Sequence, residues 1–261
     1  TGFFEKVLTD PRDRHLKSYL TITSQLRNEN FDRVYDLQGS KRTGRYFKIL
    51  NLRKKIKWSG NVNGCTFHQP FSKKKELHPY ERLADQLAIA GLDLKNQTTL
   101  LPDLSWLSVD ITHDLPKKFF VMIPGSSPHT TAKRWPALFY GDIALDLEKK
   151  NIQTVIIGGP DDTEIAQHIL KKCPSALDLT GKTNLLDILG IAQKSIGILG
   201  NDTGPLFLAS ASHQPTFVPW SNYCKADLNA PRGTHITLFK EPFLNNLMPK
   251  RVWAAIEKIL P

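Results

Sequence analysis

Apolar and polar positions fall in blocks along this chain, and from residue 117 onward the blocks repeat regularly. Phe119-Phe120-Val121-Met122-Ile123 is an unbroken apolar run of strand length, which marks a strand covered on both faces. It leads into a loop with Gly125 and a helical pattern over 136–149. The unit then recurs. A strand over 154–157 precedes Gly158-Gly159-Pro160 and a helix over 162–172; a strand over 177–179 precedes Gly181 and a helix over 185–193. A strand over 196–199 precedes Asn201-Asp202-Thr203-Gly204 and a helix reaching Ala211, and a strand over 216–218 is expected to close the series. Ahead of this region the pattern is looser. Residues 33–38 and 55–60 read as short strands, and 79–90 as a helix with Leu83, Leu87 and Ala90 on one stripe and Gly91 as its cap. Residues 97–113 have no periodicity and read as a linker.

Apolar strands alternating with helices predict an α/β fold, a parallel sheet with helices on both faces. In such sheets ligands bind beyond the carboxyl ends of the strands, where short loops open into helices. Three of the loops here are Gly-rich at that place, so the second half is expected to hold a nucleotide or phosphate site.

The loop over 124–136 offers Ser126, Ser127 and Lys133 ahead of a helix, hydroxyls plus one full positive charge that suit a phosphate. It lacks the spacing of a Walker loop, and a surface loop with capping hydroxyls explains it equally well. In Gly200-Asn201-Asp202-Thr203-Gly204-Pro205, spacing alone favours Asp202 or Thr203 as a helix cap, with a pyrophosphate facing Thr203 as the functional alternative. Asp161 and Asp162 stand where a ribose diol would be met, although acids in a first helical turn need no ligand to account for them. The eight histidines show no metal-ligand spacing, and no G-x-S-x-G nucleophile elbow is present.

Composition narrows the class. The 261 residues are 40% hydrophobic and 23% charged, as in ordinary globular proteins, and suffice for one large or two ordinary domains. No stretch approaches the roughly 18 consecutive apolar residues of a membrane span, and the first residues lack a signal-peptide layout. Cys65, Cys173 and Cys224 are scattered and are expected to be buried, reduced thiols of a cytosolic protein. The net charge of +10 is uneven: residues 1–60 hold 14 Lys+Arg against 6 Asp+Glu, the remainder 21 against 19. The excess lies in Lys41, Arg42, Arg45, Lys48, Arg53, Lys54, Lys55 and Lys57, followed by Lys73, Lys74 and Lys75. Such a field attracts polyanions, although a solvated face is the plainer account of a charge run. Few aromatics interleave with it and no nucleic-acid-binding motif appears, so nucleic acid is not favoured.

In their shared order, several segments resemble glycosyltransferase family nine, the bacterial lipopolysaccharide heptosyltransferases. They are Phe31-Asp32-Arg33-Val34-Tyr35-Asp36-Leu37-Gln38-Gly39, the helix opening His78-Pro79-Tyr80-Glu81-Arg82, and Pro124-Gly125-Ser126 running on to Lys133-Arg134-Trp135-Pro136. Ile157-Gly158-Gly159-Pro160, Gly200-Asn201-Asp202-Thr203-Gly204 and Met248-Pro249-Lys250-Arg251-Val252 complete the set.

The resemblance implies a GT-B architecture of two Rossmann-like domains with parallel sheets. It implies a partial acceptor-side domain over 1–105 and a nucleotide-sugar-binding domain over 106–261 with a terminal helix packing back. The implied reaction moves heptose from ADP-heptose to the Kdo or heptose of the lipid A inner core, with inversion and with neither metal nor cofactor. Ser126, Ser127, Lys133, Thr203, Gly204, Gly159 and Asp161 would then bind the donor. Lys133 would stabilise the charge that develops on leaving ADP, and Asp202 would orient the donor sugar or its loop. Gln38, Lys41 and Arg42 would face the anionic acceptor. The implied partners are an ADP-sugar and the lipid A core, met by a cytoplasmic enzyme in peripheral contact with the inner membrane, and no nucleic acid.

Two positions depart from the family. Phe207 stands where the family carries a histidine three residues after the glycine of D-[ST]-G. Nothing ahead of Phe31 matches the family's opening strand and Gly-Asp loop, whose aspartate looks like the general base. The expectation is therefore a chain that starts after that segment, with the base missing or on preceding sequence. The alternatives are transfer of a different nucleotide-linked sugar, or a non-catalytic basic protein for nucleic acid or anionic membrane.

Overall fold

A computed structural model describes residues 4–260 apart from 14, 53–54, 71, 73–75, 93–100, 105, 108, 128–129 and 224. The chain divides into two compact units, residues 1–100 and 101–261.

The first unit holds a parallel sheet ordered β1 (Arg33–Tyr35), β2 (Lys57–Gly60), β3 (Phe67–His68), with helices Leu16–Asn28, Lys41–Leu50 and Pro79–Ile89. Tyr19, Ile22 and Leu26 repeat at helical spacing and join Tyr46, Leu50, Ile56 and Trp58 in its core. The basic run over 41–48 is thus no loop. It winds a helix that turns Tyr46 and Leu50 inward and leaves Lys41, Arg45 and Lys48 exposed. Ser40 and Thr43 close its first turn by exchanging backbone and side-chain hydrogen bonds.

The strand expected over 33–38 stops at Tyr35. Asp36 Oδ1 accepts from the Gly39 N–H, and Gly39 takes φ +58°, which turns the chain. Helix Pro79–Ile89 begins at His78, whose Nδ1 accepts from the Tyr80 N–H, and is followed by Gly91 at φ +86°. Its most buried side chain is not on the apolar stripe but is Gln86, which donates to the Asp36 carbonyl at 3.1 Å.

The second unit is a six-stranded parallel sheet built from β4 (Phe119–Ile123), β5 (Gln153–Ile156), β6 (Leu177–Asp178), β7 (Ile198–Gly200), β8 (Thr216–Ser221) and β9 (Ile236–Glu241). Its order is β6-β5-β4-β7-β8-β9, so the chain winds outward from β4 and then returns to wind the other way from β7. One face is packed by helices Ala137–Glu148, Thr163–Lys172 and Pro249–Ile256, with Phe120, Met122, Tyr140, Leu147 and Ile156 at its centre. Helices Leu185–Lys194 and Gly204–Ser210 cover the other, over Val121, Ile123, Val155 and Ile198. Phe119–Ile123 is buried at every position, in accord with its unbroken apolar sequence.

Two expectations fail here. The strand near 216–218 runs to Ser221 and does not close the sheet, because β9 pairs with it along its whole length. The strand expected over 177–179 stops after two residues, where Asp178 Oδ1 accepts from the Thr180 N–H and turns the chain. The helix Pro249–Ile256 packs against Ala137–Glu148 through Val252 and Ile256. Cys65 and Cys173 are buried free thiols, and Cys224 lies outside the described residues.

Leu147 is fully buried between sheet and helix, whereas Leu138 on the same helix is 52% exposed. Leu147→Ala is expected to lower unfolding free energy by about 2–5 kcal/mol, and Leu138→Ala by no more than about 0.5 kcal/mol. Urea titration followed by tryptophan fluorescence distinguishes them; equal losses would contradict this packing.

Candidate functional site

In the second unit β4 and β7 lie side by side while their following helices depart to opposite faces. The loops beyond their carboxyl ends must therefore diverge and leave a crevice. A pocket of about 500 Å³ opens there. It gathers Ser126, Ser127 and Lys133 from the loop after β4, Gly159, Asp161 and Asp162 from the turn after β5, and Asp202, Thr203 and Gly204 from the turn after β7. Every residue that the sequence assigned to donor binding lines this one pocket.

Lys133 ends a single tight turn, Thr131–Lys133, and its Nζ lies 2.6 Å from Asp202 Oδ2. The ammonium also sits over the Tyr223 ring, 5.5 Å from its centroid. Its partner is thus a protein carboxylate, and the ammonium is not kept for a phosphate alone. This pair also overturns the expected cap. Thr203 occupies the cap position of helix Gly204–Ser210, but its hydroxyl donates to the Asn201 carbonyl at 3.3 Å, and no side chain caps the helix. Asp202 is drawn to Lys133 because a full charge outcompetes an exposed amide as its partner.

The remaining pocket wall is fixed by contacts within each loop and by one close approach between two of them. Arg134 donates from Nε to Ser126 Oγ and from a terminal nitrogen to the Ser126 carbonyl, both at 2.8 Å, so Ser126 is held while Ser127 stays exposed. Asp162 Oδ2 accepts from the Gly159 N–H at 2.9 Å. The same carboxylate lies against the Gly125 backbone so closely that a Cβ at 125 would overlap it. Asp161 is exposed at the rim. Beneath the pocket, Asn201 is fully buried and bonded to both ends of the loop after β4, at Pro124 and Trp135. Among these, Arg134, Asn201 and Tyr223 carried no sequence-based role. Asn201 and Arg134 lay inside the segments of resemblance; the partners of Asn201 are distant in sequence, whereas Arg134 bonds Ser126 within its own loop.

In the first unit, Lys41 lines a separate pocket of about 570 Å³ with Arg45, Lys48 and Asn61. Gln38 is exposed beside it in sequence. Arg42 is committed elsewhere. It pairs with Asp10, donates to the Asp13 carbonyl, and stacks 4.3 Å from the Tyr19 ring centroid. Those contacts bind the segment before Leu16 to the helix, and Arg42 is not among the residues that line the Lys41 pocket. Arg42 holds the Asp10 carboxyl well below the usual carboxylate range, while burial, then the hydrogen bond to Asp10, push the Tyr46 hydroxyl up to about 12.

With this geometry in place, the chain can be set beside known proteins. The profile of "Glycosyltransferase family 9 (heptosyltransferase)" matches residues 19–218. The chain belongs to glycosyltransferase family 9. It is similar to lipopolysaccharide heptosyltransferase 2 of Salmonella typhimurium, at 25% identity over 209 residues, covering 73% of this chain and 60% of that protein. It therefore spans about 60% of that curated relative's length. The structure of E. coli ADP-heptose lipopolysaccharide heptosyltransferase II aligns with TM-score 0.72 at 20% identity, over 94% of this chain and 81% of that one. A family 9 glycosyl transferase from Veillonella parvula aligns with TM-score 0.78 at 15% identity, over 95% of this chain and 80% of that one. The fold of this family 9 chain is accordingly α/β of GT-B type, built on two parallel sheets.

Because Asp10 titrates below its ordinary value, its contribution to stability is complete above the unfolded carboxylate range and is lost as pH falls through the lowered value. An NMR titration of the Asp10 carboxyl is expected to show a midpoint well below the 3.8 of an unperturbed aspartate, and Arg42→Ala should return it toward that value. An unchanged midpoint in Arg42→Ala would refute the pairing of Arg42 with Asp10.

Proposed function

We propose that this chain binds ADP-heptose in the pocket at the β4–β7 switch point. It would serve transfer of the heptose, with inversion and without a metal, to the anionic inner core of lipopolysaccharide. The observation that carries this reading is the meeting of Lys133, the Asp202–Gly204 turn, Ser126, Ser127 and Asp161 in one pocket of about 500 Å³. Family membership supports the reaction class. The printed names of the Salmonella and E. coli proteins support heptose and ADP-heptose.

The residues present suit each part of such a donor. The diphosphate needs positive charge that strengthens as the anomeric C–O bond breaks and ADP departs with its electron pair. Lys133 supplies it by exchanging Asp202 for a phosphate oxygen, and the hydroxyls of Ser127 and Thr203 add donors beside it. Asp202, released from the ammonium, then accepts from a hydroxyl of the sugar. Asp161 at the rim accepts from the ribose diol, as acids after a second strand commonly do in nucleotide-binding sheets. Lys133, Ser127, Thr203, Asp202 and Asp161 thus each have a matching group on such a donor.

On the acceptor side, Lys41 with Gln38 faces the anionic sugar core, and the same pocket adds Arg45 and Lys48. No helix among the described residues is long and apolar enough to cross a membrane. We place the enzyme at the cytoplasmic side, with this basic helix meeting the anionic acceptor at the membrane surface.

ADP is expected to raise the melting temperature of the chain, and Lys133→Ala to weaken ADP binding about 10- to 100-fold, the worth of one charge-assisted contact. Calorimetric titration measures both; a melting temperature moved by oligonucleotides and not by ADP would sink the donor reading in favour of a polyanion-binding module. In a transfer assay, Lys41→Glu should raise the acceptor KM and flatten its salt dependence. Unchanged kinetics would remove acceptor steering.

A further inference from the structure

The loops that carry Lys133 and Asp202 leave neighbouring strands in opposite directions, so their pairing at 2.6 Å requires something to fix one against the other. Asn201 immediately precedes Asp202, and its side chain is fully buried. Its Oδ1 accepts from the Trp135 backbone N–H at 3.0 Å and from the Tyr140 hydroxyl at 2.9 Å. Its Nδ2 donates to the Pro124 carbonyl at 2.6 Å, and its own backbone N–H donates to the Ile123 carbonyl at 3.1 Å. One side chain therefore holds the start of the Lys133 loop at Pro124, its end at Trp135, and the first helix behind it at Tyr140.

The chemistry admits few substitutes. The Trp135 amide can only donate and the Pro124 carbonyl can only accept, so the site demands an acceptor and a donor on one short planar group, in one orientation. Aspartate lacks the donor, a hydroxyl is too short to reach three elements, and glutamine is longer by a methylene. Trp135 is itself anchored by Nε1 to the Leu247 carbonyl at 2.9 Å and by an edge contact to Tyr140 with centroids 4.9 Å apart. The Lys133 loop thus has a rigid foot, and Asn201 ties that foot to the residue bearing Asp202.

We infer that Asn201 is a positioning residue for the donor diphosphate, acting through the Lys133–Asp202 pair that it sets in register. The inference rests on the donor reading above. A side chain that merely filled the core would affect stability and leave ADP affinity in the folded chain alone. One that places Lys133 affects ADP affinity only while Lys133 is present.

A double-mutant cycle on the whole chain separates these cases. ADP binding is measured by calorimetry for the wild type, Asn201→Ala, Lys133→Ala and the double variant, with circular dichroism as the check on folding. Asn201→Ala is expected to weaken ADP binding about tenfold in the wild-type background and less than about twofold in the Lys133→Ala background, since the contact it serves is already gone. Equal losses in both backgrounds, or no loss in either, overturn the role of Asn201 and leave the donor reading standing. A wild-type chain that does not bind ADP overturns the donor reading itself. Should Asn201→Ala fail to fold, Tyr140→Phe removes only one of the hydrogen bonds to the same oxygen. It is then expected to cost about threefold in the wild-type background and nothing measurable with Lys133→Ala, and additive losses again refute the role.

Discussion

Two adjacent parallel strands whose connections leave toward opposite faces cannot have their carboxyl ends covered by either connection, and much of this molecule follows from that constraint. β4 sends its chain to the face of Ala137–Glu148, and β7 sends its chain to the face of Gly204–Ser210. Between them the sheet end is left open, lined by backbone and by whatever side chains the two loops supply. Gly125 is needed there because the Asp162 carboxylate lies against the backbone, and Asn201 because buried amides and carbonyls at the foot of the crevice must find partners. The pocket is thus a consequence of strand order, and its chemistry a matter of three short loops.

The regular half of the chain was legible because a strand buried on both faces is rich in apolar residues, as Phe119–Ile123 is throughout and Thr216–Ser221 is at its centre. β9 escaped notice for the converse reason. It is an edge strand of alternating exposure, with Lys240 and Glu241 in its second half, and its sequence resembles a surface segment. Helix Lys41–Leu50 was hidden by its own charge: the cations that drew attention lie on its outer face, while Tyr46 and Leu50 carry the fold. The pocket residues were legible as a set because they occupy the loops after successive strands. Their pairings were not. Asp202 and Thr203 have the chemistry of caps, and no local spacing reports that Lys133 lies across the crevice with a stronger claim on Asp202.

That competition bears on what the pocket can hold. Its wall includes Lys133 together with Asp161, Asp162 and Asp202, so positive charge is not in excess there. A bare phosphate would meet one ammonium already shared and several carboxylates. A nucleoside diphosphate sugar is a better complement, because its hydroxyls supply donors to the carboxylates while its phosphates claim the lysine. Lys133 engaged by Asp202 is also prearranged, so little ordering of a long side chain remains when the ligand enters.

Restraint in charge has a further use at such a site. A group that bound the diphosphate equally in substrate and product would raise affinity without speeding transfer, and would retain the spent nucleotide. On the proposed donor reading, the Lys133–Asp202 pair would avoid this by making the phosphate compete with a carboxylate. The ammonium would then shift toward the phosphate most fully when the charge there is greatest, as the anomeric bond breaks, and return to Asp202 when the nucleotide leaves. The strongly basic surface is placed elsewhere, on the helix bearing Lys41, Arg45 and Lys48. On the proposed acceptor role, a steady field there would serve encounter with a multiply charged acceptor more than chemistry.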